Sequence, residues 1–520
     1  MTVIDRADTQ SSEVRHTAVT PRRWAVPVSI GVTVALIDLI GAGVPSYWGD
    51  EAASVMSAQR SLPSLLQELS AVDAVHGIYY AILHVWIEAF GAGEWATRSL
   101  SVLATGVFAA GLVVLGRRWA DAGTGVIAGL LVALIPRSSA LAIEARGYAI
   151  TEALAVWLVV LFAVLRERGA SRTRWVVFGV LSGLASWFFL YLLIVPLALV
   201  ATVLIPAAAA RRPSPATRNR VGDMIAAATA ACASALPIIV LAALQRHQVA
   251  FLARRDYLDV SGVLVTPWFA HPTVAVALWA LILAGVFSGL RDRAGRSWAY
   301  AALAWLLAPA AVLIALDLLV SPTYDPRYLA VSLGAAALLA ARGITGIIAR
   351  VLTRTSGRRP GLVVGTAAVL CLLVLGATLP QYQRQRTAYA KDGGADFHSV
   401  ADAVAQRAHL GDAVLFGDGP RPSRTARLSY RLYPESFAGL QDPQMVIAYD
   451  QRAGLWDELA PVADIAPRLH ERTVWLIESR HARTESSDVA ALKQHGYGLV
   501  GEQQLHRTTV YRFDKGVTHE

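Results

Sequence analysis

The sequence predicts an all-α polytopic membrane protein, with about eleven transmembrane helices, that ends in a C-terminal extracytoplasmic α/β domain. Three observations predict it. Of the 520 residues, 55% are hydrophobic and 16% charged, and the mean hydropathy is +0.46; soluble domains carry roughly 25% charged residues. Apolar runs long enough to cross a bilayer recur from Trp24 to Leu379. From about Gln381 onward the chain turns polar, and short strand and helix patterns alternate.

The apolar segments fall at 24–44, 98–116, 122–143, 148–165, 175–188, 190–209, 222–244, 272–290, 297–319, 328–349 and 361–379. Two stretches are ambiguous. The segment 76–91 is apolar but has 16 residues and contains His84 and Glu88, whereas a crossing takes roughly 20. The segment 175–209 would be about 53 Å long as one helix, too long for one passage. Arginines at 1–23, 117–118, 166–174, 211–220, 291–296 and 350–359 share one side only if 76–91 stays out of the bilayer and 175–209 crosses twice. The positive-inside rule then puts the N-terminus in the cytoplasm and the C-terminal domain outside. The segment 76–91 becomes an amphipathic helix on the outer surface.

The expected organisation is a cytoplasmic tail over 1–23, a membrane module over 24–379 and an extracytoplasmic domain over 380–520. The net charge of +9 comes almost wholly from arginines in short inter-helix loops; this pattern reports membrane topology, not a nucleic-acid surface. Cys232 and Cys371 lie within apolar runs and give no sign of a disulfide framework or metal site. The N-terminus shows no cleavable signal, because 24–44 is long enough to span and lacks a cleavage site. In the tail, 397–408 and 487–495 have helical spacing, while Ala413–Phe416, 474–477 and 509–513 read as strands. Gly417-Asp418-Gly419-Pro420 is a turn signal without the pattern of a phosphate loop.

The topology gathers polar groups at one membrane surface. Asp50 and Glu51 follow the first span in Tyr47-Trp48-Gly49-Asp50-Glu51, where adjacent carboxylates are costly without a function. His76, Glu94, Arg98, Glu144-Ala145-Arg146-Gly147-Tyr148, Arg254-Arg255 and Tyr324-Asp325-Pro326-Arg327-Tyr328 face the same side. Plainer readings exist for each: a helix-end carboxylate or cap for Asp50 and Glu51, snorkelling or local ion pairing with Glu144 or Asp325 for Arg146 and Arg327, contact with anionic lipid for Arg254 and Arg255. Glu94 and Arg98 read as a structural pair, and Trp187, Phe188, Phe189 and Tyr191 as an aromatic belt.

Asp50-Glu51, His76-Gly77-Ile78-Tyr79-Tyr80, Phe90-Gly91-Ala92-Gly93-Glu94, Arg98-Ser99-Leu100-Ser101, Glu144-Ala145-Arg146-Gly147-Tyr148-Ala149 and Tyr324-Asp325-Pro326-Arg327-Tyr328-Leu329 together resemble the GT-C glycosyltransferases. Within these, the nearest set is the protein-mannosyltransferase-like and aminoarabinose-transferase-like enzymes. The resemblance covers about 1–350; it departs at Gly77-Ile78, where the family often has Pro-Pro after the His.

This resemblance implies transfer of a sugar from a polyprenyl-phosphate donor to a cell-envelope glycan, lipid or protein on the outer face, with mannose first and arabinofuranose second as the donor sugar. Inverting transfer needs one carboxylate to take the acceptor proton; Asp50 is the choice, with Glu51 orienting or stabilising. The departing lipid phosphate needs positive charge, which the planar fork of arginine supplies in pairs of hydrogen bonds. Arg146 and Arg327 are chosen for this, with Tyr148, Tyr324 and Tyr328 nearby and Glu144, His76, Arg254 and Arg255 as further donor-binding candidates. No metal ligand set is assigned, and a divalent ion is not required. The competing readings are a polyprenyl-lipid flippase and a non-catalytic glycan-binding membrane protein. A transporter would place ionisable groups near mid-bilayer, whereas Asp38 and Asp317 lie toward the outer ends of their spans.

Overall fold

The computed structural model describes residues 22–209, 214–293, 295–355, 360–480 and 486–517. The expected tail, apart from its last two residues, and parts of the arginine clusters at 211–220, 291–296 and 350–359 lie outside the described residues.

The chain enters through α1 (Arg22–Leu39), then forms three short helices, α2 (Gly49–Gln59), α3 (Leu62–Ala71) and α4 (Gly77–Phe90). The membrane bundle continues with α5 (Glu94–Trp119), α6 (Ala122–Leu134), α7 (Pro136–Ala142), α8 (Tyr148–Glu167), α9 (Arg172–Ala185), α10 (Ile194–Ala209) and α11 (Pro215–Leu244). A short α12 (Val260–Leu264) precedes α13 (Pro272–Arg291), α14 (Arg296–Leu319), α15 (Leu333–Arg354) and α16 (Pro360–Arg384).

Among the described residues, eight helices are long and apolar enough to span a membrane, and the bent pair α6–α7 makes a ninth. The pair bends by 66° because Pro136 opens α7 and Ile135 before it is extended (φ −70°, ψ 114°); proline removes a donor and clashes with the preceding turn. The other two expected spans are helical but shorter: α1 has 18 residues with Arg22, Arg23 and Asp38, and α9 has 14. The 175–209 stretch does divide, through a turn after Ala185 and a 3₁₀ segment at Leu190–Leu193. Helix α4 has 14 residues, about 21 Å. Trp86 near its C-terminal end bonds the Ala96 carbonyl at 2.9 Å, and His76 before its N-terminus bonds Arg146 at 3.0 Å, so both ends sit at one face of the bundle.

Small residues set the closest packing. A Cβ on Gly285 of α13 would lie 1.9 Å from the Leu339 carbonyl, and one on Gly343 of α15 would lie 2.0 Å from that of Leu281; membrane helices approach this closely where side chains are absent. At one end of the bundle Arg117 reaches the Arg23 carbonyl at 3.4 Å, Arg118 pairs with Glu167 at 2.6 Å, and Arg342 with Asp121 at 3.1 Å and Asp292 at 3.8 Å. The basic loops therefore share an end. The acidic and tyrosine-rich motifs share the opposite one, beneath the C-terminal part.

That part contains α17 (Phe397–Ala405), β1 (Ala413–Phe416), α18 (Arg427–Leu432), β2 (Met445–Ile447), β3 (Glu458–Leu459), α19 (Val462–Ile465), β4 (Thr473–Ser479), α20 (Ser487–Gln494), β5 (Tyr497–Gln504) and β6 (Thr508–Lys515). A four-stranded sheet runs β1-β4-β6-β5, with β1 parallel to β4 and the other pairs antiparallel. Alternation splits its residues between two faces. Ala413, Leu415, Val474 and Leu476 pack with Val489 and Leu492 of α20, and Val414, Phe416, Trp475 and Ile477 with Val400 and Val404 of α17. The three strands read in the sequence are present; β5, with its polar alternation, is a further strand.

Candidate active site at the bundle end

The site forms where α2 begins. Trp48 is extended and Gly49 starts the helix, so Asp50 and Glu51 occupy its first turn, where the helix dipole favours carboxylates. The one-residue offset turns the two acids in different directions and gives them different environments.

Glu51 is completely buried. Arg98 grips it with two bonds of 2.8 Å, Lys391 donates at 2.9 Å, and the Ala145 amide at 2.8 Å. Arg98 also donates to the Ala42 and Pro45 carbonyls at 2.8 and 2.7 Å. Burial pushes the Glu51 carboxyl up, but Arg98, Lys391 and these hydrogen bonds outweigh it and hold the group at about 2. Burial and the nearby Arg98 push the Lys391 ammonium down to about 8. Glu51 therefore ties the α1–α2 loop, α5, the Glu144–Arg146 loop and the C-terminal part into one knot.

Asp50 remains partly open. Its carboxylate accepts from Arg327 at 2.5 Å, and Arg327 forks onto Asp325 at 3.1 and 3.0 Å while lying 5.6 Å from the centre of the Trp48 ring. Burial works to raise the Asp325 carboxyl, yet Arg327 holds it below the usual range. Arg146 approaches from the other side, donating to the Asp50 carbonyl at 3.3 Å, Ser54 at 3.2 Å and Nε2 of His76 at 3.0 Å. Since a guanidinium only donates, this His76 nitrogen must accept. Burial, aided by Arg146, pushes the imidazole down to about 3, so it is neutral.

Several expected residues join this cluster. Burial raises the Glu144 carboxyl, and its Oε1 is buried without a hydrogen-bond partner among the described residues. Tyr148 and Tyr328 lie in one aromatic cluster: Phe189 is 5.8 Å from Tyr148 and 5.7 Å from Tyr328, and Tyr191 is 5.1 Å from Tyr328. The predicted aromatic belt is thus corrected in part: Phe189 and Tyr191 turn inward because the hairpin between α9 and α10 packs over the site.

Other expectations are corrected or displaced. Glu94 and Arg98 do not pair with each other. Arg98 faces the buried Glu51, while Glu94 accepts from His398 at 3.0 Å and Tyr433 at 2.5 Å. Tyr324 is buried and donates to the Gly262 carbonyl at 2.9 Å, which anchors the loop before α13. Arg254 and Arg255 lie in the exposed 3₁₀ segment Arg246–Arg254 and just after it. Arg255 bonds Tyr257 at 2.5 Å, and among the described residues no hydrogen bond or ion pair joins either arginine to the Asp50 cluster.

Two members had no signal in the sequence reading. Lys391 arrives from the segment after α16. Arg137, one residue past the Pro136 break, has Nε and Nη2 buried without a hydrogen-bond partner among the described residues, and Glu144, Arg327, Asp325 and Tyr148 are its electrostatic neighbours. A break in a span exposing an arginine was the available clue. Among the described residues no three His, Cys, Asp or Glu side chains converge to hold a metal ion.

No family model and no curated protein matches this chain. Among solved structures, it is similar to ArnT from Cupriavidus metallidurans bound to undecaprenyl phosphate, at 14% identity over 95% of this chain and 98% of that one, with TM-score 0.58. It is also similar to the oligosaccharyltransferase of Archaeoglobus fulgidus tethered to an acceptor peptide, at 12% identity over 86% of this chain and 68% of that one, with TM-score 0.50. The chain has the GT-C fold. Within the GT-C fold, the end of the bundle that carries Asp50 is the end covered by the C-terminal part.

Proposed function

We propose that this protein is an inverting membrane glycosyltransferase that moves a sugar from a polyprenyl-phosphate donor to a hydroxyl of a cell-envelope glycan, lipid or protein. Mannose is the favoured sugar and arabinofuranose the next. The reaction takes place on the extracytoplasmic face, with the N-terminus in the cytoplasm.

One observation carries this reading: Asp50 stands at the bundle end with its partly open carboxylate on Arg327 and its backbone carbonyl on Arg146. Asp50 takes the proton as the acceptor oxygen bonds to the anomeric carbon. The bond from that carbon to the phosphate oxygen breaks, and its electron pair leaves on the lipid phosphate. Arg327 and Arg146 stabilise that leaving charge, with Arg137, whose buried Nε and Nη2 have no hydrogen-bond partner among the described residues, beside them. Glu51, saturated by Arg98 and Lys391, positions Asp50 and touches no substrate.

The flippase alternative has less support. Asp38 is committed to Arg386 at 3.2 Å and Ser139 at 3.1 Å, and Asp317 caps the Thr323 and Tyr324 amides at 2.5 and 2.7 Å. The test is transfer in proteoliposomes from polyprenyl-phosphate-linked mannose or arabinofuranose to a cell-envelope acceptor, comparing the parent with Asp50→Asn. Loss of transfer with donor binding retained supports the reading, and unchanged transfer removes it.

A further inference from the structure

We infer that the cleft between the C-terminal sheet and α2 is a binding site for a neutral saccharide, the non-reacting part of an acceptor glycan chain. This rests on the glycosyl-transfer reading above and names the substrate class of its acceptor side.

The cleft has a volume of about 330 Å³, within the range of roughly 300–1,000 Å³ typical of small-molecule sites. It sits at the carboxyl end of β1, which runs parallel to β4, where the Phe416-Gly417-Asp418-Gly419 turn leaves the sheet; open α/β sheets hold ligands at that edge. Three arginines and three aspartates line it: Arg421, Arg427 and Arg431 against Asp418, Asp457 and Asp488. Each of these arginines is already paired with an aspartate. Arg427 and Arg431 both pair with Asp457 at 2.7 Å, Arg427 also pairs with Asp442 at 2.6 Å, and Arg421 with Asp392 at 3.1 Å.

A cleft of zero net charge with its arginines bound to aspartates offers little to a phosphate. It offers much to a neutral polyol. Carboxylate oxygens and guanidinium edges supply acceptors and donors for hydroxyls, and the indole of Trp456 on the same wall supplies an apolar face for the C–H side of a sugar ring. The buried ion-pair frame fixes those groups before the ligand arrives.

The cleft also leads to the reacting centre. Met56 of α2 lines it, six residues or about 9 Å of helix beyond Asp50. Pro422 forms another wall, and its neighbour Ser423 presses its carbonyl onto Gly49, beside Asp50: a Cβ on Gly49 would lie 2.2 Å from that oxygen. A glycan seated against Trp456 would therefore extend along α2 toward the base.

The test uses the full chain in detergent, carrying Asp50→Asn so that binding is read without turnover. Calorimetric titration with linear mannan and arabinan tetrasaccharides should show binding of at least one, and inorganic phosphate should not compete. Trp456→Ala should weaken that binding at least tenfold. Asp418→Asn, at an exposed position, should weaken it severalfold. In the Asp50-bearing chain the same two substitutions should raise the acceptor KM and leave kcat within twofold. Absence of saccharide binding, competition by phosphate, or unchanged affinity in Asp418→Asn overturns the cleft assignment. Transfer lost with Asp50→Asn but indifferent to the cleft variants keeps the enzyme and removes the cleft. Saccharide binding without transfer keeps the cleft and removes the enzyme.

Discussion

Asp50 and Arg327, 277 residues apart in sequence, meet in a hydrogen-bonded ion pair of 2.5 Å at the end of the helical bundle. The pair joins the proposed base to the proposed phosphate ligand, so a donor phosphate arriving at Arg327 competes with Asp50 for the same guanidinium. Binding the donor would loosen Asp50 and free it to take a proton. Arg327→Lys keeps the charge but loses the fork shared among Asp50, Asp325 and phosphate. It should lower kcat/KM for donor by about 10²–10³-fold, the scale for losing one preorganised charge-stabilising donor. Asp50→Asn should lower kcat by about 10²–10⁴-fold and leave donor affinity intact or improved. Steady-state transfer and donor titration check both, and an equal donor kcat/KM in parent and Arg327→Lys would remove the phosphate role.

Glu51 should behave as a structural residue despite its place beside the base. Removing one partner of a buried, fully bonded pair costs about 3–5 kcal/mol, because the survivor is left charged and unmatched. Arg98→Ala should therefore destabilise the fold by about that amount, and Glu51→Gln somewhat less, since the amide still accepts from the Ala145 nitrogen. Both would appear as lower melting temperatures in detergent. Full thermal stability with Arg98→Ala would contradict the knot described here.

His76 should make stability depend on pH. Its imidazole is held at about 3 in the fold against 6.5 when free, so the unfolded chain binds the extra proton. Stability from this group is complete above pH 6.5 and is lost as pH falls from there toward 3, by up to about 1.4 kcal/mol per pH unit. His76→Gln, which keeps an acceptor for Arg146, should flatten the fall in melting temperature between pH 6.5 and pH 4. Parallel curves for the two proteins would rule out His76 as the source.

The bundle was legible because its signals are local. Apolar length and arginine placement marked the helical segments and the division of 175–209 into two helices. Asp50, Arg146 and Arg327 were legible because charged residues beside spans need a reason to be there. What stayed hidden depends on contacts between distant segments. Nothing local says that Arg98 turns to Glu51 rather than to Glu94 one helical turn away, or that Lys391 crosses from beyond α16. Arg137 lies inside the apolar run 122–143, and only the Pro136 bend gives it a direction. Glu152, one turn into α8 and bonded to Ser138 at 3.1 Å, escaped notice because one acid in a long apolar run barely lowers its hydropathy. Gly417-Asp418-Gly419-Pro420 read as a turn, and the turn borders a cleft only once Trp456 and α2 are folded against it.

Gly49 is where the C-terminal part meets the helix that carries the proposed base, and its missing side chain admits the Ser423 carbonyl. Gly49→Ala must push that backbone away by roughly 1 Å, since real Cβ contacts stay above 3.0 Å. A shift of 1 Å in a positioned group can lower rate about 10²-fold. The variant should lose activity on that scale while its membrane bundle stays folded, and limited proteolysis should cut the 421–425 segment faster. Parent-like cleavage and activity would show that this contact does not set the position of Asp50.

The proposed orientation rests on charge and can be tested directly. The end of the bundle holding Arg23, Arg117, Arg118 and Arg342 is basic; by the positive-inside rule the proposal puts it in the cytoplasm and the end holding Asp50 and the C-terminal part outside. Cys232 and Cys371 are exposed within apolar helices, so both are replaced by alanine to give a silent background. A cysteine at Asp402, on the exposed side of α17, should react with a membrane-impermeant maleimide in intact cells. One at Arg293, in the loop between α13 and α14, should react only after permeabilisation. Labelling of position 293 from outside would invert the protein, and an enzyme inverted in this way would draw its donor from the cytoplasmic leaflet.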